Sequence, residues 1–480
     1  MVAVSLLATT PALATSYGVA TWGDNHLGQL GIGTARTKSD VPRAVGTMGD
    51  GVVSISSNLW HELALLSDGT VVSWGRSCKL GDTCGTAPEV VSGLSEVAAV
   101  SAGVYFNLAL LRDGRVMAWG NNDFGELGDG STISSDVPVE VSGLRDRGVV
   151  AISAGYYHSL ALLGDGRVMA WGGNNEAQLG VGTSSGPDAC LEALPCSTVP
   201  VEVEGLEGVT AVSAGWWHSM ALLSDGRVMA WGRNAEGQLG IGTSVGPNAC
   251  QEAAPCSATP QEVDGLGGAA PAVTAISAGA FHSLALLADG VVEAWGRNSE
   301  GELGGGTITG SDVPMPVIEP GTVPATAISG GEEHSLALLS DGTVMAWGAN
   351  GDGQLGDGGT RKADVPVPVS GLTGVSEISA GGHNSVAAVR PRQPTVMVVS
   401  ARRGPVAGGT SVTITGANLL EAGAVRFGAA AASFTVDSSR SITAVSPPGR
   451  RGDVDVTVTT PYGTSAISGR DHFRFTASRP

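Results

Sequence analysis

The stretch Ser213-Ala214-Gly215-Trp216-Trp217-His218-Ser219-Met220-Ala221-Leu222-Leu223-Ser224-Asp225-Gly226-Arg227-Val228-Met229-Ala230-Trp231-Gly232 decides how this chain folds. Two short apolar runs, Ser219 to Leu223 and Arg227 to Trp231, flank an Asp-Gly pair. Runs of this length bounded by Gly and Asp are strand signals. Asp-Gly between them reads as a two-residue hairpin, whose primed turn needs positive φ at both central residues. Upstream, Trp171-Gly172 leads through a polar loop ending Gln178-Leu179-Gly180 to Pro200-Val201-Glu202-Val203 and then to Val209–Ser213. The unit therefore holds four short strands, the arithmetic of a propeller blade.

The unit recurs. Trp-Gly closes a strand at Trp22, Trp74, Trp119, Trp171, Trp231, Trp295 and Trp347, at steps of 45 to 64 residues. Repeats of that length cannot bury their apolar faces alone and must stack. The Asp-Gly turn appears six times, at Asp68, Asp113, Asp165, Asp225, Asp289 and Asp341. The seventh strand of this kind, Ser385 to Val389, runs instead into Arg390-Pro391-Arg392. Its missing partner is at the other end, where Tyr17 to Gly23 reads as a strand ending in Trp-Gly with nothing before it. The N-terminal strand is thus expected to complete the last blade, and closing the ring removes exposed sheet edges.

The motifs Trp-Gly-x-Asn-x-x-Gly-Gln-Leu-Gly and Ser-Ala-Gly-x-x-His-Ser-Leu-Ala-Leu-Leu-x-Asp-Gly resemble the repeat of the regulator of chromosome condensation (RCC1) family. The resemblance covers residues 17–389 and implies a closed seven-bladed β-propeller. The unit after Trp74-Gly75-Arg76 departs from it, passing straight to Cys78 with most of the Gly-Gln-Leu-Gly loop absent. After a Pro-containing linker at 390–393, residues 394–480 form short alternating strands between turns such as Gly408-Gly409 and Ser446-Pro447-Pro448-Gly449. This part is similar to the IPT/TIG immunoglobulin-like β-sandwich. The fold class expected is all-β throughout.

The chain has 480 residues, 42% apolar and 15% charged, with 73 glycines and a formal net charge of −19. That field repels a phosphate backbone, and no Lys/Arg cluster offsets it, so nucleic acid is not an expected partner. No apolar run reaches the roughly 18 residues of a membrane span. Residues 1–16 read as an export signal, with Ala12-Leu13-Ala14 fitting a small-x-small cleavage site. The six cysteines form three pairs of one spacing, Cys78/Cys84, Cys190/Cys196 and Cys250/Cys256. A metal site would want four ligands and no histidine accompanies these pairs, so local disulfides in an oxidising compartment are expected.

The sites of interest lie where the units differ. His61, His158, His218, His282 and His334 read as one repeat position, with Asn107 and Asn384 in the other two units. Asn for His suits a hydrogen-bonding tie between segments better than a metal ligand. The Trp of each Trp-Gly reads as core. The two residues before the His position do vary: Leu59-Trp60, Tyr105-Phe106, Tyr156-Tyr157, Trp216-Trp217, Ala280-Phe281, Glu332-Glu333 and Gly382-His383. Trp60, Tyr105, Phe106, Tyr156, Tyr157, Trp216, Trp217 and Phe281 are expected to ring one face near the axis, followed by an acidic step at Glu332 and Glu333. An aromatic patch on a rigid frame marks a partner surface, whereas rings packed on one another would plug the channel mouth.

No nucleophile elbow, His-Glu-x-x-His or Walker loop is present. Asp352 and Asp357 lack calcium-loop spacing, and Arg451-Gly452-Asp453 falls at a turn before a strand. No cofactor, metal or catalytic residue is assigned. The reading is an exported, monomeric, non-enzymatic scaffold, at the cell surface or outside the cell, that binds a protein or glycan without membrane insertion. The alternative is guanine-nucleotide exchange on a small GTPase, an activity the family resemblance implies.

Overall fold

The structure, a computed structural model, describes residues 18–45, 48, 51–76, 84–267, 271–318, 323–389, 393–419, 422–438, 440–460 and 463–477. Residues 1–16, expected to be an export signal, and the side chains of Cys78 and Cys84 lie outside them. The chain divides into two compact units after Val389.

The first unit is a seven-bladed ring of antiparallel sheets. Counted by their innermost strands, the blades begin at Val52–Ser57, Val97–Ala102, Val149–Ala154, Val209–Ala214, Val273–Ala278, Ala325–Gly330 and Val375–Ala380. Each innermost strand contacts the next, and the seventh contacts the first. Blade seven is completed from the N-terminus: Gly18–Gly23 pairs with Asn384–Val389, and Ser39–Ala44 pairs with Gly18–Gly23. Ring closure by the N-terminal strand is thus as the sequence implied.

Neighbouring blades pack face to face over shared apolar clusters and are also tied by short polar bonds. The hydroxyls of Ser56, Ser101, Ser153, Ser213, Ser277, Ser329 and Ser379 each accept a backbone N–H from the following blade at 2.9–3.0 Å. A second tie uses the carbonyl inside each Gln/Glu-Leu-Gly loop. Gln178 O, for example, accepts both Trp231 Nε1 and Ser219 Oγ of the next blade, each at 2.9 Å. The glycine closing that loop is obligatory. Gly180 has φ +68°, and a Cβ there would lie 2.8 Å from Trp231 Nε1. The repeated Trp residues are core: Trp22, Trp171, Trp231, Trp295 and Trp347 expose no surface.

The Asp-Gly hairpins differ from the two-residue primed turn expected. Leu66 N bonds Thr70 O and Gly69 N bonds Leu66 O, so three residues span the turn. Only the glycine takes positive φ (Gly69 +84°, Gly226 +86°). The aspartate stays in ordinary backbone space, and its carboxylate accepts the N–H two residues on, at 2.8 Å for Asp68. Such a turn places glycine in the left-handed position of a bulge, which spares Asp the steric cost of φ above zero.

Blades three and four carry a fifth short strand, Asp188–Ala189 or Asn248–Ala249, at the outer edge. A three-residue 3-10 turn follows each, and the disulfides Cys190–Cys196 and Cys250–Cys256 close these loops. Cys196 and Cys256 are buried. Among the described residues no helix is long and apolar enough to cross a membrane.

The second unit is a β-sheet that curls over one core. Strand Ser411–Ala417 alternates exposed and buried along its length, and Val412 and Ile414 point inward. Phe427, Phe473 and Phe475 meet edge to face at ring separations of 5.0 and 5.1 Å. Gly452-Asp453, read at the sequence level as part of a turn, opens the strand Gly452–Thr460.

Candidate functional site

Within each blade the turn from innermost to second strand lies on the same face as the loop that follows Trp-Gly, because the start of the second strand pairs with the end of the third (His218 with Gly232). The Asp-Gly hairpins occupy the opposite face. One face of the ring therefore collects all the variable pairs near the axis.

The register corrects one alignment. Phe106 pairs with Gly120 and Asn107 with Trp119, as His158 pairs with Gly172 and Ser159 with Trp171. Phe106, fully buried, therefore occupies the His position of blade two, and Asn107 occupies the Ser position. The variable pair of that blade is Val104-Tyr105, of which Val104 is buried. Ser101-Ala102-Gly103 aligned without a gap to Ser153-Ala154-Gly155 carries the same signal in the sequence. Phe106 is not part of the exposed face.

The histidines do not gather around a metal. His158, His218, His282 and His334 are buried, and each Nε2 meets a Ser hydroxyl of the next blade at 2.9–3.0 Å. Burial pushes all four down to about 3, so they are neutral. His61 reaches Asn107 Oδ1 at 2.6 Å. At the ring closure Asn384 fills the His position and donates to Oε1 of the Glu62 carboxyl group. Burial raises Glu62 to about 8, against the lowering by its bonds to Ser57 and Asn384.

The remaining aromatic residues come together over four adjacent blades. Tyr105 meets Tyr156 at 5.6 Å; Tyr156 meets Trp216 at 4.8 Å and stacks on Trp217 at 5.3 Å. Tyr157 contacts Trp217 at 5.4 Å, and Trp216 contacts Phe281 at 5.6 Å. All six are half-buried. Burial first, then the hydroxyls of Tyr105 and Tyr157, hold the Tyr156 phenol protonated well above its ordinary range. Burial does the same for Tyr157. Trp60 is also half-buried but makes no ring contact among the described residues, so the arc is continuous from blade two to blade five.

Two residues the sequence did not point to join this cluster, one buried behind it and one at its edge. Phe124, in the loop after Trp119, packs on Tyr157 at 4.5 Å. It is the one aromatic among residues such as Glu176, Glu236 and Asp352 at that loop position, which was a readable signal. Arg297 lies 5.6 Å over the Phe281 ring and pairs with Glu333 at 2.8 Å, which joins the aromatic arc to the acidic step. Beyond it, His383 Nε2 lies 3.5 Å from Glu332 Oε2 and its Nδ1 lies 3.2 Å from Asp352 Oδ2. Burial raises the Glu332 carboxyl, His383 lowers it, and Glu333 raises it again. An axial pocket is lined mostly by small residues, with Trp216 on one side and Glu332 on another.

The surface thus presents aromatic rings beside carboxylates, with His383 placed between Glu332 and Asp352 and the Arg297 guanidinium paired with Glu333.

The family model of the RCC1-like domain matches residues 4–254, and that of the regulator of chromosome condensation (RCC1) repeat matches 225–286, 289–338 and 341–388. The IPT/TIG domain model matches residues 394–475. The chain is 34% identical over 294 residues to the probable E3 ubiquitin-protein ligase HERC6 of Homo sapiens, over 59% of this chain and 26% of that protein. It is 29% identical over 328 residues to the ultraviolet-B receptor UVR8 of Arabidopsis thaliana, over 66% of this chain and 70% of that one. The chain spans only 26% and 22% of the lengths of two human HERC relatives it matches. Prp20p from Saccharomyces cerevisiae shares the fold, with a TM-score of 0.66 at 23% identity, covering 78% of this chain and 92% of that one.

Proposed function

The chain belongs to the family of RCC1-like propellers, and from that premise we propose that it is an exported, non-enzymatic scaffold that binds a protein or glycan through its aromatic face. A binding or regulatory role is the part its relatives support. The observation that carries the finer reading is the continuous arc from Tyr105 to Phe281, in which every ring touches a neighbour and none is fully buried. Scaffold positions in this ring are repeated and buried; these six are neither. Rings with one face packed and one face wet lose little side-chain entropy when a partner covers them, as interface aromatics do. Export is supported by two disulfides of identical spacing, which persist in oxidising compartments.

The decisive variant carries Tyr156→Ala, Tyr157→Ala, Trp216→Ala and Trp217→Ala together. Full-length protein and this variant are compared on a glycan array and in cross-linked capture from extracellular protein. Binders unique to the native chain, lost in a variant whose melting stays close to native, support the reading. A variant that captures the same set, or that melts far below the native chain, overturns it.

Guanine-nucleotide exchange on a small GTPase is the alternative, since Prp20p is described with binding properties to Gsp1p. At 23% identity that likeness speaks for the fold alone. Release of labelled GDP from a panel of small GTPases, accelerated by the native chain, would favour it.

A further inference from the structure

The geometry points to a divalent transition-metal site in the second unit, formed by Asp455, Asp471 and His472, for which Zn2+ is the best-fitting cation. Strand Gly452–Thr460 runs antiparallel to His472–Thr476, and the register sets Asp455 opposite His472. Asp455 Oδ1 lies 2.8 Å from His472 Nδ1. Asp471, just before that strand, has no exposed surface. Its Oδ2 accepts the Ser468 N–H at 2.7 Å. Its Oδ1 is buried, has no hydrogen-bond partner among the described residues, and sits 3.8 Å from His472 Nδ1, too far for a hydrogen bond.

That orphaned oxygen is what separates this cluster from an ordinary cross-strand ion pair. Two residues along the same strands, Asp453 and Arg474 also face each other, at 3.0 Å, and both are exposed and satisfied. A buried carboxylate oxygen left unpaired costs free energy that a third ligand bond to a shared cation would recover. The three donor atoms lie within 4.8 Å of one another, near enough to turn towards one shared cation, and Zn2+ takes such ligands at roughly 2.0–2.2 Å.

One imidazole nitrogen and two carboxylate oxygens select a borderline cation over Ca2+, which wants about six to eight oxygens. Three protein ligands leave a position for water. The site would clamp the last strand, which also pairs in parallel with Arg403–Pro405, onto its neighbour. No spacing motif announces it: Asp455 is brought to Asp471-His472 only by strand pairing.

The test uses the full chain freed of metal by chelation and titrated calorimetrically with ZnCl2, beside His472→Gln and Asp455→Asn, whose altered side chains are partly exposed. Co2+ absorption in the visible provides a readout on the native chain that needs no variant. The expected result is one Zn2+ per chain, a low-coordinate Co2+ band, and at least tenfold weaker binding in each variant. Absence of the Co2+ band in the native chain overturns the proposal, as does Zn2+ binding of equal affinity and stoichiometry in the folded variants.

Discussion

His158 Nε2 lies 2.9 Å from Ser219 Oγ, which in turn donates to Gln178 O at 2.9 Å, so one hydroxyl in blade four answers two groups of blade three. All of this is buried. The neighbouring interface lacks half of it: Phe106 stands where a histidine would reach Ser159, and among the described residues the Ser159 hydroxyl bonds only Glu126 O, at 3.2 Å.

Ser219→Ala should therefore destabilise the propeller more than Ser159→Ala. The first leaves a buried imidazole nitrogen and weakens a carbonyl's pairing, a cost of about 1–3 kcal/mol; the second removes one long bond, about 1 kcal/mol or less. Urea midpoints of the two variants against the native chain decide it. Equal losses would mean the histidine adds nothing at the interface.

Gly180→Ala and Gly205→Ala form a matched pair. Both glycines have positive φ, +68° and +72°, but a Cβ at Gly180 meets Trp231 at 2.8 Å while one at Gly205 meets nothing within 4 Å. The backbone strain of about 1 kcal/mol is common to both. Gly180→Ala adds overpacking of about 1–3 kcal/mol. Thermal midpoints should fall clearly further for Gly180→Ala, and an equal fall would show that the indole yields without cost.

Stability should decline on both sides of near-neutral pH. Burial lifts Glu62, Glu126 and Glu377 to about 8, so the folded chain keeps protons that the unfolded chain sheds above about 4.5. Stability from these groups is full below 4.5 and is lost as pH rises towards 8. The four buried histidines act oppositely: held near 3, they favour the folded state above 6.5 and cost stability as pH falls from there. Glu62→Gln keeps the shape and removes one titrating group. Its stability relative to the native chain should rise between pH 5 and 8, by at most about 1.4 kcal/mol per pH unit. Parallel pH profiles for the two proteins would show that Glu62 is ionised in the fold.

The repeat itself was legible because blade formation is local. Asp-Gly between apolar runs, Gln-Leu-Gly after Trp-Gly, and the unpaired strand at each end of the propeller segment each depend on residues close in sequence. They were enough for blade count, ring closure and the buried Trp series. The turn type was misread because Asp-Gly suits both a primed turn and a three-residue bulged turn, and the Asp carboxylate bond to the next N–H but one favours the second. Phe106 was misplaced because Asn107 resembled Asn384 chemically, while the gap-free run from Ser101 to Leu108 was the stronger guide.

What the sequence determined alone was the set of positions that repeat and those that do not. Which partner each position meets was decided by stacking. His158 sits 61 residues from Ser219, Trp231 53 from Gln178, and Asn384 322 from Glu62. Those pairings follow from how far one sheet is rotated against the next, a quantity no single blade's sequence contains. The same rotation turns aromatic pairs from separate repeats into one connected surface from Tyr105 to Phe281.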